Sequence, residues 1–146
     1  MRRRQFIPTA VAGLFAIYCV ATSAQPVSAT ALNRQKLVIQ VSDAEPAKWN
    51  LALNNAKNVQ EELGASQVDI EIVAYGPGIG MLKLDSVSGV RVADAIKAGV
   101  RILACENTLR NQKVSHDEML PAIGYVNAGV TQLMKRQAEG WAYIRP

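Results

Sequence analysis

Lys36 to Tyr75, KLVIQVSDAEPAKWNLALNNAKNVQEELGASQVDIEIVAY, decides the fold. Its first seven residues, Lys36–Ser42, form an apolar, β-branched run of strand length. Asp43-Ala44-Glu45-Pro46 then supplies acids and a proline. Both suit the first turn of a helix, whose leading N–H groups have no partners within the helix. Trp49, Ala52, Leu53, Ala56, Val59 and Leu63 follow at helical spacing, while Asn54, Asn55, Lys57, Asn58, Glu61 and Glu62 fill the other face. Gly64 stops the helix. Val68–Tyr75 reads as a second strand, with Val68, Ile70, Ile72 and Ala74 alternating against Asp69, Glu71 and Val73. A strand, a helix and a strand on linkers this short make a βαβ unit, in which the two strands run parallel.

The pattern continues toward the carboxyl terminus. Gly76-Pro77-Gly78-Ile79-Gly80 reads as a loop, and a helix spans about residues 90–98 before Gly99. Residues 100–105 form a third strand, and Glu106-Asn107-Thr108-Leu109-Arg110 begins a short helix. Ser115-His116-Asp117-Glu118 has the spacing of a capping box. Ile123–Val126 is a short fourth strand. Val130, Leu133 and Met134 mark a last amphipathic helix, which Gly140 ends, and Trp141–Arg145 is a final strand. The fold class is therefore α/β, with a mostly parallel sheet of five strands and helices on both faces.

The amino terminus reads as a targeting segment. Met1-Arg2-Arg3-Arg4 is basic, and Phe6–Val20 is apolar but too short to span a bilayer comfortably. Thr22-Ser23-Ala24 offers small residues to a signal peptidase, as does Val27-Ser28-Ala29. Residues 1–24 are thus expected to be a cleavable signal peptide, with cleavage as late as residue 29. Arg3-Arg4-Gln5-Phe6-Ile7 partly matches the twin-arginine export signal, and that route and the general secretory one both end in the periplasm. Tyr18 precedes Cys19 where a lipidated cysteine needs a small residue, so no lipid and no stable membrane anchor are expected. Residues 25–35 form a flexible lead-in, and residues 36–146 the domain.

Removing the leader changes the charge. The chain has 16 Lys+Arg and 12 Asp+Glu, and three arginines but no acids lie in the leader. The remaining 13 cations against 12 acids leave a formal charge of +1. That balance gives no reason to expect a nucleic-acid partner. Of the two cysteines, Cys19 goes with the leader, so Cys105 has no partner for an internal disulfide.

Cys105 is the leading candidate for chemistry. It ends a strand just before a helix, and ligands of open parallel sheets collect outside the carboxyl ends of the strands. N–H groups at a helix start favour the thiolate, the nucleophilic form. Asn107 and Thr108 lie in the same turn, Arg110 can add positive potential, and Glu106 opposes it. The alternative is a small apolar filler at a strand end. Gly76 and Gly78, in the glycine loop after strand two, either bring backbone amides to an anion or simply make a tight turn. Asp43 and Glu45 lie on the same rim, as polar neighbours of Cys105 or as helix-start charges. His116 is the only histidine, so no metal site is expected, and no nucleophile elbow is present. Trp49, Trp141 and Tyr143 read as core or interface.

Three stretches, in order, carry a family resemblance. They are Val41-Ser42-Asp43 with Trp49–Ala56; Ile72-Val73-Ala74-Tyr75-Gly76-Pro77-Gly78-Ile79; and Gly99-Val100 through Ala104-Cys105-Glu106-Asn107-Thr108-Leu109, continued by Gly129-Val130 and Gly140–Pro146. Together they resemble the DsrE/DsrF-like family of small sulfur-relay proteins. The resemblance implies a three-layer α/β/α fold around a five-stranded parallel sheet, and assembly into homo-oligomeric trimers or hexamers. It also implies that Cys105 carries a persulfide between a sulfur donor and an acceptor protein, with no cofactor. Two features depart from the pattern: the well-understood members are cytoplasmic, and Tyr75 stands where many relatives carry histidine. Two other readings compete with the persulfide carrier. One is a non-enzymatic module that binds a small anion or metabolite. The other is an assembly protein anchored through Trp141 and Tyr143.

Overall fold

Nine regular elements alternate along residues 34–146, the part that the computed structural model describes. They are β1 (Gln35–Val41), α1 (Pro46–Leu63), β2 (Val68–Ala74), α2 (Gly89–Lys97), β3 (Arg101–Cys105), α3 (Glu106–Gln112), β4 (Gly124–Val126), α4 (Gly129–Ala138) and β5 (Ala142–Ile144). The expected signal peptide, Cys19 and the expected lead-in up to residue 33 lie outside the described residues. The expected boundaries hold to within a residue or two, and Gln35, read as lead-in, already belongs to β1.

The strands lie in the order β4-β3-β2-β1-β5, and every neighbouring pair is parallel. Register follows the apolar alternation. Ile39 stands beside Ile72, and Ile72 beside Ile102, so like side chains share a face. Leu37, Ile39, Val41, Ile70, Ile72 and Ile102 pack with Trp49, Leu53 and Ala56 of α1 and Val92 of α2. Val38 and Val73 turn to the opposite face and pack with Leu133 of α4 and Trp141. The result is a three-layer α/β/α sandwich. Fully burying one Ile or Val side chain stabilises it by roughly 1.5–3 kcal/mol.

Two local readings change. The glycine stretch is not an irregular loop but a 3₁₀ helix over Gly76–Leu82, which buries Ile79, Met81 and Leu82. Gly78 makes the close approach there: a Cβ would sit 2.2 Å from the Val41 carbonyl oxygen, so no other residue fits. Glu71, one of the polar residues alternating through β2, is fully buried. It is compensated rather than stranded. Its Oε1 accepts from Gln132 Nε2 at 2.7 Å and Arg136 Nε at 3.0 Å, and its Oε2 from Arg136 Nη2 at 2.8 Å. Arg101 Nη2 lies 3.1 Å from the same Oε2. Both guanidiniums also stand over the Trp141 ring, 5.3 and 4.8 Å from its centre. Trp141 is thus enclosed within its own chain, whereas Tyr143 stays part-exposed with its hydroxyl on Gln40 Oε1 at 2.6 Å.

Candidate functional site

All five strands end on one rim, and Cys105 is the last residue of β3 there. Strand alternation turns its side chain to the α4 face. Pairing of β3 with β4 puts Cys105 beside Val126, so the turn between β4 and α4 passes directly over the sulfur. The Gly129 N–H, in the first turn of α4, donates to Cys105 Sγ at 3.2 Å. The Asn127 carbonyl lies 3.9 Å from the same sulfur and also accepts the Asn107 N–H at 3.1 Å. Gly129 must be small, since a Cβ would come within 3.0 Å of Tyr75 Cβ.

Burial pushes the Cys105 thiol up. That is outweighed by the polar groups around the sulfur, Thr108 first and then the Gly129 N–H, so the thiol is held below its ordinary value. Thr108 Oγ1 in turn accepts the Gly76 N–H at 3.0 Å. The start of α3 follows Cys105 directly, and the start of α4 donates to its sulfur. Only 5% of Cys105 is exposed, but Asn107 and Asn127 beside it are open to solvent. A sulfur whose thiolate is favoured in this way is in the nucleophilic form of cysteine.

The other candidates divide. Gly76, Asn107 and Thr108 stand around Cys105, although the Gly76 N–H is already committed to Thr108. Arg110 is tied to the Asn107 side chain, so its charge is held one turn from the sulfur. Gly78 serves the packing against Val41. Asp43 pairs with Lys48 at 3.2 Å and with Arg145 at 3.5 Å, and the Lys48 hydrogen bond leads in holding its carboxyl below the usual range. It lies three residues before α1, with its carboxylate on Lys48 and Arg145. His116 stacks on Tyr125, ring centres 4.0 Å apart, and its Nε2 lies 2.9 Å from Glu106 Oε1, which occupies that carboxylate. Ser115 makes the expected capping box with Glu118, its N–H donating to Oε1 at 2.8 Å.

Asn127 and Gly129 are the parts of the site that local sequence reading does not supply, because only the β3–β4 pairing brings them to Cys105. A groove of about 360 Å³ between α1 and α2 is remote from the sulfur. A shallower one of about 340 Å³ adjoins it through Asn127, with Thr131, Gln132 and Lys135 on its wall. The hydrogen-bonded sulfur marks the chemistry better than groove depth does. Among the described residues no group of three or more His, Cys, Asp or Glu could hold a metal ion, and no helix is long and apolar enough to cross a membrane.

This geometry can be set beside known proteins. Residues 35–146 match the model of the DsrE/DsrF-like family. The chain belongs to that family. Among solved structures, a protein of unknown function from Methanobacterium thermoautotrophicum, MTH1491, is 36% identical with a TM-score of 0.73, covering 77% of this chain and 99% of that one. BT1422 from Bacteroides thetaiotaomicron, also of unknown function, is 18% identical with a TM-score of 0.64, over 77% and 95% of the two chains. The ychN protein from E. coli is 13% identical with a TM-score of 0.63, over 77% and 99%. The latter two likenesses establish the fold alone. No curated protein matches the chain. For this DsrE/DsrF-like chain, membership supports a role related to sulfur relay.

Proposed function

We propose that the protein is a periplasmic persulfide carrier, with Cys105 as the carrying residue. The observation that carries this reading is the sulfur itself, a lone thiol of the domain with Thr108 and the Gly129 N–H as donors beside it. In the loading step the Cys105 thiolate attacks the outer sulfur of a persulfide or polysulfide donor, R–S–SH. A new S–S bond forms at Sγ, the donor S–S bond breaks, and R–S⁻ leaves. The transferred sulfur keeps its proton, and no outside oxidant is needed. In the unloading step an acceptor thiolate attacks that outer sulfur and Cys105 departs as thiolate. The same donors stabilise Sγ both as attacking and as leaving thiolate, and carriage needs no resolving cysteine.

Export rests on residues 1–24, which carry the signal pattern. Assembly into a homo-oligomer belongs to the same proposal. Exposed Leu84, Val87 and Val90, near Leu120 and Pro121, form apolar surface that a second copy would cover.

Intact-mass measurement before and after incubation with polysulfide tests the carrier. The wild type should gain sulfur mass that a reductant removes, and Cys105→Ser should gain none. Equal gain on both proteins, or none on the wild type, would overturn the reading. A wild type that gains no sulfur yet binds a small anion would point to the binding module.

A further inference from the structure

We infer that Glu71 is a positioning residue for Cys105: its buried carboxylate, by gripping Gln132 and Arg136, fixes where α4 begins and so holds the Gly129 N–H against the sulfur. For its purpose the inference rests on the carrier reading of Cys105.

The geometry is a triangulation. Glu71 sits in β2, on the face covered by α4, and is fully buried. Gln132 and Arg136 lie one helical turn apart on α4 and both donate to it, at 2.7 to 3.0 Å. Gly129 is three residues before Gln132, about 4.5 Å along the same helix, so a shift of α4 at Gln132 is passed on to it. The third ligand is Arg101, 3.1 Å away at the start of β3, the strand that ends in Cys105. The element carrying the sulfur and the element carrying its N–H donor are therefore held to one carboxylate.

Apolar contacts alone would let a helix slide along the sheet at little cost, because burial is non-directional. The buried apolar cluster on this face, Val38, Val73, Leu133 and Trp141, makes contacts of that kind. Charge-assisted hydrogen bonds fix both distance and direction. A buried ion pair is weak evidence for stability as its own purpose, since apolar replacements often do as well. Its directional hold on α4 is what an apolar residue cannot replace.

The test is the rate of Cys105 alkylation by iodoacetamide, followed from neutral to alkaline pH on the full mature protein. Glu71→Gln keeps the shape, but it turns an N–H₂ group toward the arginines and cannot keep both the three hydrogen bonds and the Arg101 ion pair. Its reaction midpoint should move to higher pH, with the rate at neutral pH falling about threefold, the size expected for weakening one hydrogen bond to sulfur. Glu139→Gln, which removes a surface partner of Arg136 without touching Glu71, should leave the profile unchanged. If Glu71→Gln does not fold, Gln132→Ala replaces it and should move the midpoint the same way. An unmoved midpoint in the folded variant, with only a lower melting temperature or a uniformly faster rate, would overturn the inference. Alkylation requires no sulfur donor. Failure of wild-type sulfur loading together with a shifted Glu71→Gln midpoint would sink the carrier and leave the positioning role standing.

Discussion

On the side of α1 and α2 the sheet joins a cluster of twenty buried apolar residues, whereas on the side of α4 the buried apolar cluster has four. Glu71, Gln132, Arg101 and Arg136 occupy much of the remaining α4 face. The first side is held by area removed from water, which tolerates small displacements. The second is held by hydrogen bonds with fixed geometry, and the Cys105 sulfur is on that second side. The contrast suggests a division of labour, in which one face supplies most of the folding free energy and the other sets the position of a thiol.

The largest expected effect lies on the apolar side. Ile72 is fully buried at the centre of the sheet, and Ile72→Ala should cost about 3 kcal/mol in urea unfolding, through lost transfer free energy and the cavity left behind. The pH midpoint for Cys105 alkylation should stay where it is. If it moved as far as in Glu71→Gln, the two faces would not be separable and the comparison would fail.

An intermediate effect is expected at Thr108, where the sulfur meets the 3₁₀ helix after β2. Its hydroxyl supports Cys105 and accepts the Gly76 N–H. Thr108→Val keeps the shape and loses both bonds. Stability should fall by about 1–2 kcal/mol, since a partly buried N–H is left without its acceptor. Cys105 alkylation near neutral pH should slow about fivefold, which corresponds to one hydrogen bond of about 1 kcal/mol. Loss of stability with an unchanged alkylation rate would show that Thr108 serves the packing and not the thiol.

These variants also mark how much the sequence discloses. The periodicities of Lys36–Ser42, Trp49–Leu63 and Val68–Tyr75, with glycines at 64, 99 and 140, place the strands and helices because those signals are local. Cys105 was legible for the same reason, as a strand end followed at once by a helix. Asn127 and Gly129 were not, because their nearness to the sulfur comes from pairing between strands whose order no short window shows. Glu71 was read as one polar residue of an alternating strand. It stands in a strand buried on both faces except at Asp69, and its partners are 30 to 65 residues away. An acid set between two isoleucines, with arginines and a tryptophan later in the chain, is the available signal. Asp43 and Arg110 show how pairing modifies a reading made from position alone. Both are near the site in sequence pattern, yet each is tied to another side chain.

The smallest effect tests the activated thiol without any reagent. Because Cys105 is held below its ordinary value, the folded protein releases the thiol proton at lower pH than the unfolded chain does. Between those two values the unfolded state binds more protons, so stability rises with pH across the window. The contribution is complete above the unfolded thiol's value and is lost as pH falls through the folded one. Asp43, Glu118 and Glu139 are held below the usual carboxylate range and are already ionised there, while Tyr125 is held above the usual phenol range. None of these four adds slope within the window. The unfolding free energy of the wild type minus that of Cys105→Ser should therefore grow from neutral pH toward the alkaline side. A flat difference would mean that burial cancels the hydrogen bonds at Sγ. The α4 face would then hold the sulfur in place without activating it.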